Sequence, residues 1–252
     1  MIDLHSHVLH GLDDGARGLE ESLEIARAAV ADGIEAMAAT PHVRDDYPTT
    51  VEAMRAAVAE LREALGSAAI PLELHTGGEI ALNRLNVLSD RELRDFSLAG
   101  SRYVLLEFPY SGWPLDLPTR IFELQTAGLV PVLAHPERSP EVMASPERLE
   151  PLVAAGALVQ VTAASLDGRL GRKTQRTGLD LVRRRLAHLI ASDAHAPSLR
   201  GVGMTAAAAA IGDAILARQL TIDVPAAIVA DEPVPNPPAP GVQRRAWWSL
   251  RR

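Results

Sequence analysis

His5 and His7, two residues apart in Ile2-Asp3-Leu4-His5-Ser6-His7, are the first side chains in the sequence with chemistry to offer. Ile2, Leu4 and Val8 alternate with polar residues, the period of a short strand, and residues two apart on a strand project from one face. Two neutral imidazoles so placed can grip one divalent ion. Alone, the pair reads equally well as polar residues at an exposed strand end. Its company changes that reading. Asp14, His42, Glu79, Glu107, His135, Asp193 and His195 each stand at the end of a predicted strand or in the loop after one. The nine imidazoles and carboxylates together suit manganese, iron, zinc or cobalt, and they exceed what one or two ions need.

Four of the nine are carboxylates, so a centre of three divalent ions keeps about two positive charges in excess and attracts an anion such as a phosphate monoester. Ions held there supply hydroxide near neutral pH and clamp phosphoryl oxygens. Arg138, three residues past His135, and Arg200, five past His195, are placed to grip phosphate bidentately. Without the metal context, either arginine reads as a surface salt bridge. Asp13 competes with Asp14 as a ligand; it serves equally as an orienting neighbour or as the acid on the leaving group. His10 is a neighbour of unassigned role, while His75 and His188 read as packing and strand residues.

The elements that must carry these residues alternate. Predicted strands end at Ala39, Thr76, Leu106, Ala134, Thr162 and Ala191, after the first strand at His5-Ser6-His7. Helical periodicity covers 19–31, 51–65, 89–95, 117–127, 146–155 and 174–185 between them. Such alternation implies right-handed βαβ units and a parallel sheet. Seven strands with polar endings at one end only imply a barrel whose active site lies on the C-terminal rim. A helix over 204–217 covers the barrel, and 222–230 forms a short closing segment.

The 252 residues carry a net charge of −7, which argues against nucleic acid or anionic lipid as a general partner. The absence of cysteine removes disulfides, thiolate ligands and any phosphocysteine mechanism. Polar residues from Asp3 onwards leave no apolar leader or span, so a cytoplasmic location is expected. The composition divides the chain into a 1–230 domain and a 231–252 tail. Five prolines between Asp231 and Pro240 favour an extended linker, and the end joins Trp247 and Trp248 to four arginines. That tail reads first as flexible or docked on its own domain, and second as a partner or membrane-surface anchor, so any membrane contact is indirect or made through the tail.

Met1-Ile2-Asp3-Leu4-His5-Ser6-His7, Asp13-Asp14-Gly15, Thr40-Pro41-His42, Gly78-Glu79-Ile80, Leu106-Glu107-Phe108, Ala134-His135-Pro136-Glu137-Arg138 and Ser192-Asp193-Ala194-His195 together resemble the PHP (polymerase and histidinol phosphatase) superfamily. More narrowly, they resemble its bacterial manganese-dependent protein tyrosine phosphatases of capsule and exopolysaccharide loci. The resemblance spans about residues 1–230. It implies a distorted (β/α)₇ barrel with a trinuclear centre. One ion would sit on His5, His7, Glu79 and Asp193, a second on Glu79, Glu107 and His135, and a third on Asp14, His42 and His195. It implies as substrate the phosphotyrosine-rich tail of a bacterial tyrosine autokinase controlling polysaccharide export. The sequence departs from the family at Val43, between His42 and Arg44, and in its longer tail. Competing readings are a small-molecule phosphatase, for histidinol phosphate or a similar monoester, and a non-catalytic metal-binding barrel. A nuclease fits least.

Overall fold

The computed structural model describes residues 1–197 and 201–235. Nine strand pieces are present among them: β1 (Ile2–Ser6), β2 (Ala36–Ala39), β3 (His42–Val43), β4 (Glu73–Thr76), β5 (Glu79–Ala81), β6 (Tyr103–Glu107), β7 (Val130–Ala134), β8 (Leu158–Thr162) and β9 (Leu189–Ala191). All pair in parallel, in the orders β1-β2-β4 and β3-β5-β6-β7-β8-β9. β3 continues β2 beyond Thr40-Pro41, and β5 continues β4 beyond Gly77-Gly78. The pairings Ala39↔Thr76 and His42↔Glu79 keep one register across both breaks. Asp193 N donates to His5 O at 2.8 Å and His7 N to Ala194 O at 2.8 Å, closing β9 onto β1. The nine pieces thus form seven strands around a barrel, as the sequence implies.

Alternation decides what each strand sends inward. On β6, Val104 and Leu106 join the outer core against the helices, while Tyr103 and Leu105 join an inner cluster. The inner cluster also takes Leu4, Ala38, Val132, Ala134, Leu158 and Leu189 from the other strands. Val224 and Ile228 seal it from the helix Val224–Val229. The N-terminal half of the barrel is therefore apolar and filled, leaving polar inward residues such as Glu107, Gln160 and Thr162 at the opposite end.

The C-terminal elements differ in detail from the expectation. Residues 204–217 do not form one helix: Gly212 takes a left-handed conformation, φ 71°, and ends the helix Met204–Ile211. Asp213 then accepts from the amides of Ile215 and Leu216 and starts Ala214–Arg218. The closing segment 222–230 is helical. The last strand begins at Leu189, because Arg185 (φ 61°) turns the chain after the helix Arg172–Arg183. Beyond residue 230, Asp231 accepts from the Arg102 amide at 2.8 Å and Glu232 O from the Tyr103 hydroxyl at 2.7 Å. Residues 236–252, with Trp247 and Trp248, lie outside the described residues.

The Gly77-Gly78 break is required sterically. A Cβ on Gly78 would stand 2.7 Å from Phe96 Cδ1 and 3.1 Å from Val43 Cγ2, and Phe96 is buried. Gly78→Ala is expected to cost about 1–3 kcal/mol, the usual range for overpacking a core. Urea denaturation checks it; an unchanged midpoint would mean that Phe96 yields freely.

Candidate metal centre

β1 delivers both first histidines to one place, with His5 Nε2 and His7 Nε2 3.3 Å apart. Glu79 Oε2 lies 3.4 Å from the former and 3.3 Å from the latter, and Asp193 Oδ1 repeats those two distances. Donors held about 2.1 Å from one tetrahedral ion stand about 3.4 Å from each other. His5, His7 and Asp193 therefore have the spacing of a single ligand shell, and Glu79 Oε2 borders it from beside both imidazoles. Asp14 Oδ1 stands 3.4 Å from His42 Nε2 and 3.3 Å from His195 Nε2, and His7 completes that group.

Glu79 spans the centre. Its Oε1 accepts from His135 Nε2 at 2.8 Å, and its Oε2 lies 2.9 Å from His42 Nδ1. Although so close, Glu79 Oε2 and His42 Nδ1 are both buried without a hydrogen bond. They are oriented as donors to a common cation, and the donor set fits divalent ions. All nine predicted ligands are gathered here. Their grouping differs from what the resemblance implies: His7 also joins Asp14, His42 and His195, His135 clusters with His5 and Glu79, and Glu107 clusters with His42 and Glu79.

The electrostatics ask for cations. Burial works against charge on His7, yet its hydrogen bond to Asp13 and the nearby carboxylates of Asp193 and Glu79 hold it well above the ordinary imidazole range. Burial opposes protonation of His5 too, and the charges of Glu79 and Asp193 prevail to raise it. Glu79 is held well below the carboxylate range by His5 and its other imidazole neighbours, against the effect of burial. Asp193 is likewise held down, chiefly by Arg138. Burial and the Arg138 charge push His135 down to about 4, which leaves its imidazole neutral and ready to ligate.

His42 shows the opposite shift. Burial is outweighed by the neighbouring carboxylates of Asp14 and Glu79, and it rises to about 9. A raised imidazole contributes stability that is complete below the unfolded value of 6.5 and lost as pH climbs through about 9. Ions must displace that same proton. Manganese affinity is therefore expected to strengthen across this window by about tenfold per pH unit for each proton displaced, while the metal-free fold weakens. Calorimetric titration at several pH values checks both; a pH-independent affinity would exclude His42 as a ligand.

Neighbouring groups hold the ligands in place. Asp13 faces His7 Nδ1 at 2.7 Å and accepts from the amides of His42 at 2.9 Å and Gly15 at 2.9 Å. Burial is outweighed by the His7 hydrogen bond, so Asp13 is held below the carboxylate range. Both its oxygens are engaged in positioning, which suits it poorly to donate a proton. A Cβ on Gly15 would meet His7 O at 2.2 Å, so this turn needs glycine. Gln160 Oε1 faces His5 Nδ1 at 3.1 Å and accepts from the His135 amide at 3.2 Å, leaving Nε2 of His5 for the ion. His135 (φ 38°) and Asp193 (φ 52°) both take left-handed conformations that aim them inward from strand ends.

Arg138 donates to Thr162 Oγ1 at 2.9 Å and to Asp193, and it lines a cavity of about 350 Å³ beside the ligands. Arg200 lies outside the described residues. His10, 3.9 Å from Glu60, faces the helix Val51–Ser67. His75 lies 3.5 Å from Glu73, and His188 accepts from the Val159 amide at 3.1 Å. Sequence reasoning missed Gln160, Arg44 and Tyr110. Arg44 Nη1 lies 3.0 Å from Glu107 Oε1, and the Tyr110 ring stacks on His135 with centroids 5.7 Å apart. Only Gln160 left a signal: on the inward parity of Leu158-Val159-Gln160-Val161-Thr162 it is a polar residue in an apolar strand.

Comparison with known proteins follows the same lines. The sequence matches the family described as "Capsular polysaccharide synthesis, CpsB/CapC" over residues 1–230. Tyrosine-protein phosphatase YwqE of Bacillus subtilis is 40% identical over 198 residues, 77% of each chain. Tyrosine-protein phosphatase CpsB of Streptococcus pneumoniae is 28% identical over 243 residues, 92% of this chain and 99% of the relative. A crystal structure from work on YwqE of Bacillus subtilis and CpsB of Streptococcus pneumoniae, described there as unique metal-dependent tyrosine phosphatases, superposes with TM-score 0.86 at 34% identity. It covers 95% of this chain and 100% of its own. Molinate hydrolase, at 12% identity and TM-score 0.54, shares the barrel fold alone. From its matched residues and its barrel alike, this chain belongs to the CpsB/CapC family.

Proposed function

We propose that the protein is a metal-dependent phosphatase that hydrolyses phosphotyrosine in proteins. The observation that carries this reading is the gathering of nine ligand side chains with Arg138 on one rim of the barrel. Its natural substrate, on this reading, is the C-terminal tail of a tyrosine autokinase governing polysaccharide synthesis or export, met in the cytoplasm. No helix of the described residues is long and apolar enough to cross a membrane, which agrees with that setting.

On this reading the nine donors would hold three divalent ions, manganese among the metals they suit. Ions bound there would provide Lewis acidity, easing deprotonation of an attacking water near neutral pH and offsetting charge on the phosphoryl oxygens. The chain's own residues do the rest. Arg138, already aligned by Asp193 and Thr162, offers its planar fork to two phosphate oxygens. Arg200, five residues past His195, is assigned to the same anion from its place in the sequence. Asp13 fixes the His7 ring, and Gln160 fixes that of His5. A tyrosine leaves as a phenolate with a conjugate pKa of about 10, so the reaction needs no strong acid on the leaving oxygen.

The test is hydrolysis of a phosphotyrosine peptide against histidinol phosphate, with added manganese and with chelator. Manganese-dependent turnover of the peptide supports the proposal. Preference for histidinol phosphate would move the function to small-molecule metabolism, and turnover of neither would leave a metal-binding scaffold.

A further inference from the structure

We propose that Tyr110 and Leu170 form the walls of an aryl subsite that selects phosphate esters of phenols over those of alkyl alcohols. The inference rests on the phosphatase reading above and names the residues that choose its substrate.

The cavity beside the metal centre is one-sided in chemistry. Arg138, tied to Thr162 and Asp193, supplies its anion-binding end. Tyr110, Ala164, Leu170, Thr174 and Ser192 supply the remainder, with no carboxylate among those five. Its volume of about 350 Å³ is near the lower end for small-molecule sites and leaves room for one ring and its phosphate.

Both walls are fixed in advance. The Tyr110 ring stacks on His135 at an interplanar angle of 18°, yet the residue remains 50% exposed. Packing has therefore set its orientation while leaving surface for a ligand to cover. Glu141 pins its loop: Oε1 accepts from the Gly112 amide at 2.8 Å, and Oε2 accepts from the Ser139 hydroxyl at 2.8 Å. Ser139 follows Arg138 in the chain, so one carboxylate holds the Tyr110 loop and the phosphate-gripping segment in fixed relation. Across the cavity, the Leu170 amide donates to Ala164 O at 3.0 Å, and its neighbour Arg169 is anchored to Gly201 O at 2.8 Å.

A phosphoserine ester reaches Arg138 but leaves Tyr110 and Leu170 uncovered. A phosphotyrosine ester covers both, and an apolar pocket of this kind discriminates by about 10–200-fold.

Two readouts on the manganese-loaded full chain test this. One is the dissociation constants of phenylphosphonate and methylphosphonate by calorimetry. The other is the kcat/KM ratio for a peptide carrying phosphotyrosine or phosphoserine at the same position. The wild type is expected to favour the aryl ligand in both. Tyr110→Ala and Leu170→Ala are each expected to reduce that preference about tenfold, whereas Tyr110→Phe keeps it. Undiminished aryl preference in both alanine variants would overturn the subsite and leave the phosphatase standing. Selective phenylphosphonate binding without hydrolysis of either peptide would sustain the subsite and overturn the phosphatase. Equal affinity for the two phosphonates in the wild type would overturn the subsite outright.

Discussion

Glu79→Ala is expected to lower kcat/KM on a phosphotyrosine peptide by at least ~10³-fold while the barrel stays folded. Its two oxygens approach four imidazoles: His5 at 3.4 Å, His7 at 3.3 Å, His42 at 2.9 Å and His135 at 2.8 Å. No other ligand is shared so widely. Its loss removes one negative charge from the middle of the donor set, so the remaining groups hold divalent ions less well. The fold survives because the apolar clusters that close the barrel contain none of the nine ligands. Circular dichroism and bound-metal analysis check the two halves of this expectation. Normal metal content with full turnover would show that Glu79 is a structural carboxylate only.

Arg138→Lys is expected to reduce kcat about 10²-fold, comparable with the loss of one preorganised donor to a developing oxyanion. Lysine keeps the positive charge beside Asp193 and His135 but lacks the planar fork that matches a phosphate face. The charge itself has a second duty, since it helps to hold His135 low, at about 4. Arg138→Ala removes that influence. His135 then rises, protons compete for it, and the pH at which manganese binds moves upward. The pair of variants thus separates phosphate recognition, lost in both, from ligand tuning, lost in the alanine variant alone. Equal pH profiles for the two would assign Arg138 to the phosphate alone.

The barrel was legible because each strand carries an apolar run and then a polar ending, and parallel strands collect those endings on one rim. His5, His7, Glu107, His135, Asp193 and His195 were found in this way. The sequence reading placed His42 and Glu79 in loops after strands. The structure instead pairs them across β3 and β5, because Thr40-Pro41 and Gly77-Gly78 interrupt two strands without ending them. Proline and paired glycines look identical in sequence whether a strand stops or merely breaks. The same ambiguity hid the helix end at Gly212 within an alanine-rich run. Gln160, Arg44 and Tyr110 act through partners 155, 63 and 25 positions away, at His5, Glu107 and His135. No local pattern encodes such partnerships. Asp13 was legible as a neighbour of the site, and its orienting role emerged only with its contacts to His7 and the amides of Gly15 and His42.

The most direct test of the account strips the protein with chelator and returns manganese in steps, counting bound metal while following release of phosphate from a phosphotyrosine peptide. The stripped protein is expected to show no turnover, and activity is expected to grow with occupancy of the nine-ligand centre. Full turnover by metal-free protein would contradict metal dependence.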